Sequence, residues 1–400
     1  MDYMKTVTLL IGCYYPSSLD EMAKELYIKK DVSLSNLLYE RILDEDFFAI
    51  SDEKNEVIAI SSPSFGYYKQ QCKRSRIDFN NLDRVHFVKY STNKYVSHIS
   101  KTNGILKGLK KIAKKFSTIN IVISEAHLPY LLAVYKFTKK YYRLIKNITL
   151  IVPDLPKDVK RNRYNFLENL LKKIYVNKSN KLIKLVPTQY VCFTKEIAMV
   201  INQNKPTLIS NGVVENSFSS LIKCDGFNTF VYSGKLEERN GIDLLLDAFK
   251  IVNKTLYNSK LIICGDGPLS PLAIKSSKEN PNILYMGLLS EKRNTNVLKQ
   301  ANVLMCPRLP SLEEDYCFPS KLVNYSKYAA QIVVFNNSKY KNALKESVIY
   351  CDDLSANCLA KAMIKALNTP INVQQRLNFI EECKTQRIID FCLRSISKNR

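Results

Sequence analysis

Cys306-Pro307-Arg308, the acidic Glu313-Glu314-Asp315, Phe318-Pro319-Ser320-Lys321-Leu322-Val323-Asn324-Tyr325 and the apolar Ile332-Val333-Val334-Phe335 follow one another in a single stretch of chain. The apolar runs on either side have the length and composition of buried parallel strands, and a polar loop between them leads into a helix. Open α/β sheets hold their ligands at strand-loop-helix junctions of this kind. The stretch therefore predicts an α/β fold with a site at the carboxyl end of a strand.

Working outward, the same grammar repeats. Before residue 205, apolar runs at Val7–Ile11, Val57–Ile60, Val85–Val88, Ile121–Ile123, Ile148–Val152 and Tyr190–Phe193 alternate with amphipathic segments. A second series follows Thr207-Leu208-Ile209, with runs at Phe230–Ser233, Leu261–Cys264, Ile283–Met286, Val303–Cys306 and Val348–Cys351. Strand-helix alternation predicts parallel sheets covered on both faces. Four hundred residues exceed what one hydrophobic core usually serves. The reading is two domains, 1–205 and 206–384, with 385–400 as a returning C-terminal helix. Ser217–Asn228 has the composition of a linker, and Ser61–Asn81, with Pro63, Gly66 and Lys73-Arg74-Arg76, that of an irregular insertion.

No apolar run approaches the roughly 20 residues needed to span a bilayer. The 11 cysteines are odd in number, scattered and without a Cys-x-x-Cys pair, so reduced thiols in a cytoplasmic protein are expected rather than a disulfide framework or a zinc site. The net charge of +23 is concentrated: residues 101–200 hold 21 Lys and Arg against 5 Asp and Glu, and residues 201–400 hold 26 against 18. Such a field attracts nucleic acid, anionic lipid or a phosphorylated substrate. The lysines are not interleaved with a nucleic-acid recognition motif, which sets that partner aside. Ile105, Leu106, Leu109, Ile112, Ala113 and Phe116 share one helical face, with Lys107, Lys110, Lys111, Lys114 and Lys115 opposite. That pattern fits a surface helix packed on the sheet, or a helix lying on an anionic membrane. The basic run Lys157–Lys184 adds to the second reading.

Two further turns resemble the first site. Gly234-Lys235-Leu236 and Gly265-Asp266-Gly267 each follow an apolar strand and precede a helix. Glycine there lets backbone N–H groups approach an anion, and a helix start favours negative charge. Singly, either is an ordinary turn. Together with Phe318-Pro319-Ser320-Lys321 they describe one crevice.

The order Tyr232-Ser233-Gly234-Lys235-Leu236, Asn240-Gly241-Ile242, Leu245-Leu246-Asp247-Ala248-Phe249, Cys264-Gly265-Asp266-Gly267-Pro268, Tyr285-Met286-Gly287, Pro307-Arg308 and Phe318-Pro319-Ser320-Lys321-Leu322 resembles the nucleotide-sugar-binding domain of the family 4 retaining glycosyltransferases, such as those of bacterial capsule and O-antigen polysaccharide synthesis. Val152-Pro153-Asp154-Leu155-Pro156 and Ser210-Asn211-Gly212-Val213 carry a weaker likeness in the first half. The resemblance implies the GT-B fold, two Rossmann-like domains facing a cleft with the last helix crossing back. It also implies transfer of a sugar from a UDP- or GDP-linked donor to a lipid-linked or polysaccharide acceptor, at the inner face of the plasma membrane, with no cofactor. By the same resemblance Lys235 meets the donor diphosphate, and Arg239 stands in for a lysine the family places at Asn240. Gly234, Gly265, Asp266, Gly267, Arg308 and Phe318, Pro319, Ser320 and Lys321 border the donor. Asn324 falls on the family's ribose-contacting glutamate, and Tyr316 on the acid eight positions earlier, so Glu313 and Glu314 are the carboxylates left to serve the sugar.

His127 and Asp154, each just past a strand, are the candidates on the acceptor side; a hydrogen-bonded structural histidine and a helix N-cap are the alternatives. Asp44-Glu45-Asp46 matches an Asp-x-Asp metal triplet, but it lies at a predicted helix end far from the glycine turns, and no required metal is expected. A non-catalytic scaffold of the same fold, or a nucleotide-sugar epimerase, remain as other functions.

Overall fold

The computed structural model describes residues 5–14, 35–62, 84–91, 96–156, 166–201, 204–226, 228–310 and 318–394. The irregular insertion expected at Ser61–Asn81 and the start of the basic run at Lys157 lie largely outside the described residues. The chain divides at Asn216/Ser217 and again at Cys383/Lys384, the segment after Cys383 belonging with the first unit.

In the first unit, β1 (Thr6–Gly12), β2 (Asn55–Ser61), β3 (Val85–Phe87), β4 (Thr118–Ile123), β5 (Ile145–Val152), β6 (Gln189–Cys192) and β7 (Thr207–Ile209) form one sheet. Its order is β3-β2-β1-β4-β5-β6-β7, with every neighbouring pair parallel. In the second unit, β8 (Thr229–Ser233), β9 (Lys260–Cys264), β10 (Ile283–Gly287), β11 (Val303–Cys306), β12 (Gln331–Phe335) and β13 (Ile349–Cys351) run β10-β9-β8-β11-β12-β13, again all parallel. Both orders reverse once, at β1/β4 and at β8/β11. Connections that leave such neighbours in opposite directions open a crevice beyond the strand ends.

The central strands of each sheet are buried on both faces. Phe230, Tyr232, Leu261, Ile263, Val303, Met305 and Val333 of the second sheet pack with Ile242, Leu245, Leu246, Phe249 and Val252, the apolar stripe of the helix Ile242–Thr255. The helix begins at Gly241, whose φ of +64° is left-handed and whose Cβ, if present, would stand 2.1 Å from the Pro307 carbonyl oxygen. No other residue suits that position without displacement.

The helix Ser97–Ile112 decides between the two readings of the lysine-rich segment. Its Ile105, Leu109 and Ile112 are buried, and Gly108 approaches His86 so closely that a Cβ would stand 2.9 Å from the ring. The apolar face is therefore spent on the first unit's core, and the lysines are what this helix offers to solvent.

The segment expected to be a linker is instead a strap on the second unit. Ile222 N donates to the Lys327 carbonyl at 2.7 Å, Ala329 N donates to the Ile222 carbonyl at 2.8 Å and Asp225 N donates to the Lys299 carbonyl at 3.0 Å. Polar composition reads as linker because hydrogen bonds, not apolar burial, hold it down. Arg376 is fully buried in the same unit and donates to the carbonyls of Tyr328 (3.3 Å), Ala330 (3.3 Å) and Ser347.

The last helix, Thr385–Leu393, buries Ile388, Ile389 and Cys392 among Leu10, Val57, Val122, Ile151 and Val191 of the first unit. Its start is pinned through Asp46, whose carboxylate accepts from Asn216 N at 3.0 Å and from the Thr385 hydroxyl. The Asp-x-Asp spelling lies inside the helix Ser35–Ala49. Burial first, then the Glu45 charge, push the Asp44 carboxyl well above the usual carboxylate value. Asp46 acts as a structural tie.

Candidate functional site

At the carboxyl end of β8 the chain turns through Gly234, whose φ of +153° favours glycine and whose Cβ would lie 2.8 Å from both Cε and Nζ of Lys321. Gly265 follows β9 with φ +126°, and a Cβ there would stand 1.9 Å from the Gly234 carbonyl oxygen. Gly267 lies beside the Leu236 carbonyl in the same way, at 2.4 Å. The two predicted turns are thus in direct contact, which is possible only because neither carries a side chain.

Tyr232, the fourth residue of β8, is the hub of what gathers there. The Lys321 ammonium sits 3.5 Å from its ring centroid, a close cation–π contact. Its hydroxyl donates to the Lys235 carbonyl at 2.7 Å, where Asn240 Nδ2 also donates at 2.8 Å. Burial first, and the charges of Cys306 and Glu237 after it, push the Tyr232 phenol well above its ordinary value against the opposing charges of Arg308 and Arg239. Burial and the Arg308 charge bring Lys321 down to about 8. Lys321 therefore lies on the ring of this tyrosine, and the charges of Arg308 and Arg239 act on its phenol.

Glu237 holds two of these cations. Its carboxylate meets Lys235 Nζ at 2.6 Å and Arg239 Nε at 2.7 Å. Burial pushes this carboxyl up, but the Lys235 hydrogen bond and the Arg239 charge outweigh it and keep the group below the usual value. The backbone beside Arg239 is fixed as well, since its carbonyl accepts from Leu309 N at 2.9 Å. That bond joins the turn after β8 to the one after β11.

Asp266 closes its own loop, its Oδ1 accepting from Gly267 N at 2.8 Å and from the Ser270 hydroxyl at 2.7 Å. Phe318 is buried against Tyr340 and Phe379, with centroids 5.8 and 5.7 Å away. It anchors Pro319 and the helix Ser320–Ser326, which presents Lys321 to the β8 end and carries half-buried Asn324. From that helix Tyr325 reaches back: Ser233 N donates to its hydroxyl at 2.8 Å, and the hydroxyl lies 3.2 Å from the Ser233 carbonyl oxygen. Glu313 and Glu314, with Tyr316, lie outside the described residues.

In the first unit His127 caps the helix Leu128–Tyr141 just past β4. Its Nδ1 is 2.6 Å from the Tyr175 hydroxyl, which in turn accepts from Leu128 N at 3.1 Å. Burial first, then the charges of Lys101 and His98, hold the imidazole well below its ordinary value. Asp154 is exposed after β5, with Oδ1 accepting from Leu155 N at 2.9 Å; the residues it was expected to cap lie outside the described ones.

Sequence reading placed Gly234, Lys235, Arg239, Gly265, Gly267, Arg308 and Lys321 at one locus, and they lie together. It gave no role to Tyr232, Tyr325 or Glu237. The signal for Tyr232 and Tyr325 was there: a phenol in an otherwise aliphatic strand or helix core needs a polar partner.

Comparison with known proteins bears on the fold and on the second unit. Residues 213–386 match the family model for glycosyl transferases group 1. Among solved structures, sucrose-phosphate synthase from Thermosynechococcus elongatus superposes with TM-score 0.60 at 11% identity, over 96% of this chain and 94% of that one. HepE from Anabaena, solved in complex with UDP, gives 0.55 at 9% identity, covering 98% and 97%. TarM from S. aureus, in complex with UDP among other ligands, gives 0.51 at 11% identity over 72% of this chain, which spans 57% of that protein. A comparison with curated protein sequences finds no match. The two parallel-sheet units are those of the GT-B fold, and residues 213–386 match the glycosyl transferases group 1 model. More narrowly, the second unit carries the group 1 glycosyl transferase domain.

Proposed function

We propose that the protein is a family 4, retaining glycosyltransferase that moves a sugar from a UDP- or GDP-linked donor to a lipid-linked or polysaccharide acceptor in surface-glycan synthesis. The gathering of Lys235, Arg239, Arg308 and Lys321 at the carboxyl end of β8 carries the reading. When the glycosidic bond to a diphosphate breaks, negative charge grows on the leaving group. Fixed cations aimed at that charge stabilise the transition state more than the ground state. Here they are held by Glu237, by the tyrosine face and by backbone bonds between turns, so little reorganisation is needed when charge develops. These cations take the part a metal ion plays elsewhere, and turnover is expected to be insensitive to chelators. Bound UDP in the HepE structure supports a nucleotide donor.

The glycine turns give the diphosphate close approach to backbone N–H groups, and Asn324 would meet a ribose hydroxyl as a neutral hydrogen-bonding group. Glu313 or Glu314 would serve the sugar hydroxyls, with His127 and Asp154 on the acceptor side. The basic charge of residues 101–200 seats the enzyme peripherally on the anionic inner face of the plasma membrane.

The test is release of nucleotide from UDP- and GDP-sugars in the presence of lipid-linked or oligosaccharide acceptors, with the Lys235→Ala variant alongside. The variant is expected to lose about 100-fold or more in turnover. Full turnover in the variant would refute the role given to Lys235. Donor binding without release by the wild type, with any acceptor, would make the protein a scaffold, and donor conversion without acceptor would make it an epimerase.

A further inference from the structure

The turn after β8 sets a carboxylate among the cations. Leu236 is fully buried and its backbone is tied twice: its N donates to the Asp266 carbonyl and its own carbonyl accepts from Leu269 N, each at 2.9 Å. Glu237 follows in extended conformation, with φ −125° and ψ 156°. Its carbonyl accepts from Asn240 N at 3.0 Å, which closes the turn that carries Arg239. One oxygen of the Glu237 carboxylate then meets Lys235 Nζ at 2.6 Å, and the other meets Arg239 Nε at 2.7 Å. We propose that Glu237 determines specificity within the donor site: its charge weakens the hold on a free nucleoside diphosphate more than on the diester that a sugar nucleotide presents, so that the spent nucleotide leaves.

Cations alone discriminate the wrong way. Their attraction scales with the charge of the ligand. A terminal phosphate loses its second proton near pH 6, so a free diphosphate carries about three negative charges at neutral pH, whereas its sugar ester has no such proton to lose and carries about two. Any set of cations therefore holds the spent nucleotide more tightly than the fresh donor, other contacts being equal. A carboxylate beside them acts with the opposite sign in the same proportion, and so takes about half as much again from the product as from the donor. Deleting a cation would also trim the field, but with it would go a group that stabilises the leaving charge. A carboxylate bridging two cations trims the field and keeps both in place.

Glu237 is fitted for that part by its ionisation, its reach and its fixed place. Burial pushes its carboxyl up, but the Lys235 hydrogen bond and the Arg239 charge outweigh burial, so the group is negative at neutral pH. Its field is felt at the end of β8: after burial and Cys306, the Glu237 charge is what pushes up the phenol of Tyr232, on whose ring Lys321 lies. The backbone bonds on either side keep it there, and only 19% of its side chain is exposed. Glu238, one residue on, is exposed and has no part in the bridge. The same charge placed there would face solvent, where screening blunts its effect on a ligand.

This inference rests on the transferase reading for the diphosphate's place among these cations; its test needs neither the sugar nor the acceptor. The probes are UDP, GDP and the methyl ester of each at its terminal phosphate, so that ester and parent differ by one methyl group and one charge. Each would be titrated by calorimetry at about pH 7.5, where the terminal phosphate is ionised, into the wild type and into Glu237→Gln, which keeps the size of the side chain without its charge. The free diphosphate is expected to bind Glu237→Gln about tenfold more tightly and its ester about fivefold, the free energies standing as the ligand charges, so the preference for the free diphosphate about doubles. Glu237→Ala should shift the preference in the same direction. Glu238→Gln should leave it as in the wild type, with circular dichroism and Tm showing each variant folded. Because every other charge is common to the pair compared, the difference reads Glu237 alone. Weaker binding of both ligands to Glu237→Gln, or an equal change of preference in Glu238→Gln, would overturn the proposal. Tight binding with an unchanged preference overturns this inference alone, whereas failure of UDP and GDP to bind the wild type at all overturns the transferase reading with it.

Discussion

Lys321 gives the sharpest handle on the donor site, because it titrates where binding can be measured. Burial and the Arg308 charge place it at about 8. Its positive charge is therefore present below that pH and is lost above it: about nine-tenths of the side chains are charged at pH 7 and about one-tenth at pH 9. A diphosphate against the ammonium favours the charged form, so binding selects the protonated lysine. The affinity for UDP or GDP should then fall about tenfold from pH 7 to pH 9, equivalent to about 1.4 kcal/mol. The nucleotide does not produce this slope, since its terminal phosphate titrates near 6, and guanidinium groups keep their charge throughout. Calorimetry in buffers of different ionisation heat should count about half a proton taken up per nucleotide at pH 8. Lys321→Met removes a charge-assisted contact worth about 1.5 to 3 kcal/mol, so binding at pH 7 should weaken by about 10- to 100-fold and the pH slope should vanish. Without ligand the sign is opposite: the unfolded chain holds this proton to higher pH, so stability should rise from pH 8 towards 10. A wild-type affinity that stays flat from pH 7 to 9, or a tenfold fall that persists in Lys321→Met, would refute the placement of the diphosphate on this lysine.

Other expectations follow from single contacts. Gly234→Ala puts a Cβ 2.8 Å from the end of Lys321 and strains a φ of +153°, so nucleotide binding should weaken at least about tenfold while the circular dichroism spectrum is kept; unchanged calorimetric affinity would count against the crowded turn. Arg376→Met leaves three buried carbonyls without a donor, at about 1 kcal/mol each, and should lower the urea midpoint by the equivalent of about 3 kcal/mol. A change within about 0.5 kcal/mol would mean that water or other donors replace the guanidinium. Co-sedimentation with phosphatidylserine vesicles should be strong at low salt and fade as salt rises past the range where the Debye length is about 8 Å; no binding at low salt would remove the membrane part of the model.

The sheets were legible because their signal is redundant. The central strands are rich in Ile, Val and Leu and bounded by turn residues, and burial on both faces leaves them no alternation to misread. The helix Ser97–Ile112 was readable as amphipathic, but its destination was not, since a core and a bilayer attract the same residues. Only Gly104 and Gly108, which bring the helix close to Val88 and His86, mark the side facing the sheet. The strap at Ser217–Asn228 misled for the opposite reason: backbone hydrogen bonds hold it, and those leave no trace in composition.

At the donor site the glycines and cations could be named from sequence, but their mutual arrangement could not. Lys235 and Arg239 flank Glu237 within five residues, which reads as a mixed-charge turn on a solvated surface. In the structure the carboxylate is the clamp that holds both cations at 2.6 and 2.7 Å. Lys321 is eighty-six positions from Lys235, and what brings it close is the parallel register of β8 with β11 together with the helix that follows. Tyr232 then sets its position, because its ring face attracts the half-buried ammonium. An aromatic face attracts the cation without bringing a formal charge of its own. The tyrosine is thus what holds this cation in place at the strand end.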